Sequence, residues 1–168
     1  FPSAFFLKED DSTPTGYRVD FGEESLPHNI DSVQVRPGYF NEKDGFSTAG
    51  ALLVYFEDVS LEGVMGHQEA ATYASDSVKT VIVNADTGER VPHFVEIDRT
   101  ADEDAERLLI LQPLVPLDFA SRYVVGIRGL VKNDGDPVLP SEVFQELRDS
   151  IDPDSWDFEG RRERFEEV

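Results

Sequence analysis

The stretch from Val78 to Leu130 constrains the fold most. It reads as four strands in succession: Val78–Asn84, Arg90–Ile97, Arg107–Gln112 and Arg122–Leu130. They are joined by Ala85–Gly88, by the acidic run Asp98–Glu106 and by Pro113–Ser121. Val78, Val81, Ile82, Val83, Val91, Val95 and Ile97 are β-branched, which suits a pleated surface. In the second segment Val91, His93, Val95 and Ile97 fall on one face, with Pro92, Phe94 and Glu96 on the other. Leu108 to Leu111 is apolar on both faces, as a central strand should be. Asp86, Thr87 and Gly88 suit a hairpin turn whose glycine is left-handed.

Leu117 stands six residues before Tyr123, at the start of the fourth segment. That spacing is found in the tyrosine corner of immunoglobulin-like sandwiches, where the phenol bonds back to the main chain. The expected fold is mainly β: an immunoglobulin-like antiparallel β-sandwich over residues 51–139, with Ala51–Phe56 as its first strand. An irregular N-terminal extension, residues 1–50, precedes it. It is rich in Pro, Gly and Asn, and its strand candidates are Tyr17–Phe21 and Val33–Arg36. Ser60–Met65 reads as a helical turn capped by Ser60, and His67–Ser77 as a loop or short helix. Residues 140–168 read as a tail of one or two helices, the first capped by Ser141 and running through Arg148. The second, from about Trp156, has no stop signal, and Glu166 and Glu167 oppose its dipole. It reads as continuing into a missing or separate domain. The chain begins Phe1-Pro2, which reads as a removed leader or a fragment.

The 168 residues carry 35 acids against 15 bases, a net charge of −20. Such a surface repels nucleic acid and anionic membranes, and fits a saline or extracellular setting or cation binding. A soluble acidic protein is the plain alternative. There is no cysteine, which excludes disulfides, thiolate metal sites and a Cys nucleophile. No apolar run is long enough to span a membrane as a helix.

No nucleophile elbow, phosphate-binding glycine loop or zincin motif occurs. His28, His67 and His93 lack metal-ligand spacing and read as surface or core residues. The candidate metal ligands are Asp98, Asp102 and Asp104, in the acidic connection. That loop reads either as solvated or as a flexible source of the oxygens that calcium takes. No catalytic or cofactor-binding residue is assigned. Tyr39, Phe40, Phe46 and Tyr55 cluster around the approach to the first sandwich strand, as core or as a docking patch. Phe1, Phe5, Phe6 and Leu7 read as packing on the sandwich or on a missing neighbour.

Several segments, taken in order, carry a resemblance. They are Ala51–Ser60, Thr80–Val91, Leu109–Pro113, Arg122–Leu130 and Asn133-Asp134-Gly135. They resemble the bacterial Ig-like module of the SbsA type. Phe1–Ser3, Thr15–Phe21 and Asn41–Ser47 resemble the N-terminal region of secreted lipase-like proteins of the extracellular or virulence-factor type. In that family a sandwich precedes an α/β-hydrolase domain. The resemblance implies an accessory, non-catalytic chain outside the cell or at its surface. Its partner would be a serine esterase or lipase-like hydrolase, in cis or as a separate chain, that supplies the catalytic residues. The alternative is an extracellular binding or adhesion module whose acidic loops take up calcium.

Overall fold

The computed structural model describes residues 1–103 and 106–149. The fold is mainly antiparallel β with a few short helices. The strands are β1 (Leu7–Glu9), β2 (Tyr17–Val19), β3 (Leu52–Tyr55), β4 (Thr80–Asn84), β5 (His93–Ile97), β6 (Leu108–Pro113) and β7 (Tyr123–Ile127), followed by α1 (Glu142–Asp149). They form a β1–β2 hairpin, a three-stranded sheet in the order β3-β6-β5 and a two-stranded β4–β7 sheet.

β6 lies between two neighbours because it can satisfy both edges and bury one face. Leu109 pairs with Val54 on one side and Ile97 on the other, and Leu111 with Leu52 and Val95. Leu109 and Leu111 are fully buried. The core they enter is completed from the other sheet by Ile82, with Val125 and Ile127 packed against it. The two sheets thus share one hydrophobic core, which is the dominant source of their stability.

A hairpin joins the two sheets. Asn84 N–H donates to the Glu89 carbonyl at 2.9 Å, and Val91 N–H to the Ile82 carbonyl at 2.8 Å. Gly88 takes φ +74°, as the turn requires. The Asn84 side chain accepts from the N–H groups of Asp86 and Thr87. Tyr123 behaves as its spacing implies: its phenol oxygen accepts the Asp118 N–H at 2.9 Å, five residues upstream. Leu117 packs against the core beside it.

Two expected elements take other forms. Val33–Arg36 is not a strand. His28 and Gln34 form a lone bridge, and the Asn29 carboxamide oxygen takes the N–H groups of Asp31 and Val33, closing a loop instead. Ser60–Met65 is not a helical turn. Ser60 N–H donates to the Val131 carbonyl, beside a bridge between Val59 and Lys132, and Gly63 reverses the chain at φ +65°. His67–Thr72 forms a short 3-10 helix. α1 begins where expected, with Phe144 N–H donating to Ser141 Oγ at 3.3 Å. The expected second tail helix lies outside the described residues.

His93 is the buried imidazole of the core, 1% exposed. Its Nδ1–H meets the Val91 carbonyl at 2.9 Å, so Nε2 accepts the Thr80 hydroxyl at 3.0 Å. Burial pushes its pKa below the usual imidazole value, partly opposed by the Val91 carbonyl. The unfolded chain takes up a proton near pH ~6.5 that the folded chain refuses. The His93 contribution is therefore complete above that pH and is lost as pH falls through the lowered folded pKa. Urea unfolding should show stability falling between about pH 7 and 5, and His93→Gln should flatten that slope. An unchanged slope in the variant would refute the assignment.

Candidate functional site: an aromatic face

Residues 1–50 build a second, smaller apolar cluster out of rings. Phe21 is its centre, 8% exposed. Its ring lies 5.1 Å from Phe6, 6.1 Å from Phe1, 6.2 Å from Phe40 and 6.4 Å from Phe46, centroid to centroid. Phe1 and Phe46 meet edge-to-face at 5.4 Å, and Phe5 and Phe6 at 4.9 Å. These separations lie in the range where ring pairs add to simple burial.

Polar contacts hold the rings in place. Asn41 acts as a clip: its Oδ1 accepts Phe21 N–H at 2.9 Å and its Nδ2 donates to the Phe21 carbonyl at 3.0 Å. Val19 N–H reaches the Lys43 carbonyl, and Thr15 Oγ1 the Asp44 carbonyl. The segment 41–44 is thereby strapped to β2. In the β1–β2 turn Asp10 receives the Ser12 hydroxyl and N–H and the Arg18 guanidinium. The Ser12 hydroxyl, then Arg18, hold its carboxyl down to about 2. The cluster joins the larger sheet through main chain, Leu53 N–H donating to the Phe1 carbonyl at 2.6 Å.

The rings do not close over one another. Between them and Pro2, Gly50 and Ala51 lies an open, mostly apolar slot of about 270 Å³. Its rim is exposed: Phe1 51%, Phe5 52%, Tyr39 68% and Phe40 41%. Lys43 Nζ sits over the Tyr39 ring at 4.3 Å from its centroid. An apolar slot with an aromatic rim and one cation favours an apolar or aromatic side chain of a partner.

The candidate metal ligands are not brought together as a site. Asp98 accepts both the N–H and the hydroxyl of Thr100, at 2.8 and 2.7 Å, which lowers its pKa. Asp102 is exposed in a bend, and Asp104 lies outside the described residues. Among the described residues no three His, Asp or Glu side chains converge as metal ligands. His67 is exposed and packs its ring on Phe94 at 5.2 Å. Sequence reasoning saw the aromatics of residues 1–46 as two separate groups. The Asn41 clip that unites them pairs residues 20 positions apart and leaves no periodic signal. No helix among the described residues is long and apolar enough to cross a membrane. No family model matches the chain, and no curated protein or solved structure matches it.

Proposed function

We propose that this chain is a non-catalytic, immunoglobulin-like sandwich module that works outside the cell or at its surface as the accessory of a serine esterase or lipase-like hydrolase. It docks that hydrolase, in cis or as a separate chain, through the aromatic face. The observation that carries the docking role is the open slot with four exposed rings on its rim. Exposed aromatics around an apolar cavity are typical anchors of protein interfaces. Two sheets on one core and the phenol of Tyr123 bonded to the Asp118 main chain support the sandwich assignment. The hydrolase partner rests on the ordered sequence resemblance.

Native purification with mass spectrometry tests the reading. A companion polypeptide, or a continuation of this one, that carries a Gly-x-Ser-x-Gly elbow is the expected result. Tyr39→Ser with Phe40→Ser should weaken the companion's hold by about 2 kcal/mol or more, as loss of interface anchors does. Hydrolysis of p-nitrophenyl butyrate by the isolated chain, or a companion that is no hydrolase, would overturn it.

A further inference from the structure

The two sheets have four outer edges, and three are covered. The β3 edge holds Phe1, whose carbonyl accepts Leu53 N–H at 2.6 Å. The β5 edge holds Met65, whose carbonyl accepts Val95 N–H at 2.9 Å, and the β4 edge holds the chain at Glu89–Val91. The fourth edge belongs to β7. Arg128 N–H donates to the Lys79 carbonyl and Ala85 N–H to the Arg122 carbonyl, so the even-numbered residues of β7 bond to β4. Tyr123, Val125 and Ile127 therefore turn their main-chain N–H and C=O groups outward, and among the described residues no main-chain partner meets them.

The side chains show the same gap. Thr80, Ile82 and Asn84 on β4 are 1%, 0% and 5% exposed. Their ladder partners Ile127, Val125 and Tyr123 point at the same core yet remain only partly buried. The core is closed over β4 and open along β7. On the opposite face, Val81 pairs with Gly126, and the missing side chain there helps leave a groove of about 360 Å³. Lys79, Arg90 and Arg128 line it. Arg90 pairs with Asp76 at 2.9 Å. Lys79 donates to the Glu62 carbonyl, and Arg128 to the carbonyls of Val78 and Asp76. Neither of these two cations meets a carboxylate, in a chain of net charge −20.

We infer that the β7 edge accepts a strand from a partner polypeptide, with apolar and acidic residues in alternation. The main chain of the incoming strand pairs with Tyr123, Val125 and Ile127. Its inward residues cover Val125 and Ile127. Its outward residues, on the face of Gly126 and Arg128, carry carboxylates toward Lys79 and Arg128. Charge complementarity selects this occupant over a second copy of the chain, which brings the same net charge of −20. The inference is independent of the hydrolase reading.

The test uses the whole chain and a fluorescent decapeptide of alternating Val and Glu. Expected results are saturable binding by anisotropy and slowed amide exchange at Tyr123, Val125 and Ile127. A Val/Lys peptide should not bind, nor should the same composition with its alternation scrambled. Lys79→Glu with Arg128→Glu should weaken binding about tenfold or more. A peptide N-methylated on one edge leaves the protein untouched, and it too should fail to bind. No binding by the Val/Glu peptide, equal binding by the scrambled or N-methylated peptides, or equal binding by an oligonucleotide of matched charge would each overturn the assignment.

Discussion

Leu109→Ala is expected to destabilise the protein by about 2–5 kcal/mol, the largest single effect of a side-chain truncation in this core. Leu109 sits mid-sheet on β6, flanked by Val54 and Ile97, and it is fully buried. Removing three carbons leaves a hole that no neighbour can fill, because all three strands are fixed by their ladders. At roughly 2–4 °C for each kcal/mol, the melting temperature should fall by about 5–15 °C. Leu114→Ala, at a side chain 48% exposed, should change stability by about 0.5 kcal/mol or less. Thermal unfolding followed by circular dichroism measures both. Equal small effects would mean that the two sheets do not share a core.

Phe21→Ala should cost about 3–5 kcal/mol, with a different distribution. Phe21 touches four other rings, and its main chain is held by the Asn41 clip. Residues 1–50 have no other apolar centre of comparable burial besides Val19. The loss should therefore concentrate there. Amide exchange at Val19 and Phe21 should accelerate strongly, while exchange at Ile82 and Leu109 changes far less. Uniform acceleration would show that the aromatic cluster and the larger core unfold as one unit. Loss of hydrolase binding in the same variant would tie the slot to its proposed role.

The strands of the larger core were legible because their cause is local. Alternation of β-branched and polar residues located β4, β5, β6 and β7, and the apolar run Ala51–Phe56 located β3. Their ends were not legible, because ladders decide them. The second segment reads as starting at Arg90, but Val91 N–H is taken by Ile82, so β5 begins at His93. The fourth reads as running to Leu130, but Gly129 turns the chain at φ +60° and β7 stops at Ile127. β1 went unseen because a three-residue strand, Leu7–Glu9, carries too little pattern. The aromatic slot was legible as material and not as an object. Phe1, Phe21, Phe40 and Phe46 are spread over 46 positions, and side-chain clips bring them together.

The hairpin that joins the two sheets also orders the assembly of the chain. Asn84 and Glu89 meet by closing a loop of a few residues, whereas Leu52 must find Leu111 across roughly sixty. Loop-closure entropy separates those two events by about 2 kcal/mol. The turn at Asp86–Gly88 is the economical nucleus, and it commits β4 to one layer and β5 to the other before either layer is complete. β3 arrives late, onto a surface that β5 and β6 have already made. Until it docks, the far flank of β6 is an exposed apolar ladder. The speed with which β3 closes that flank sets how long a newly made chain stays prone to pairing with its neighbours.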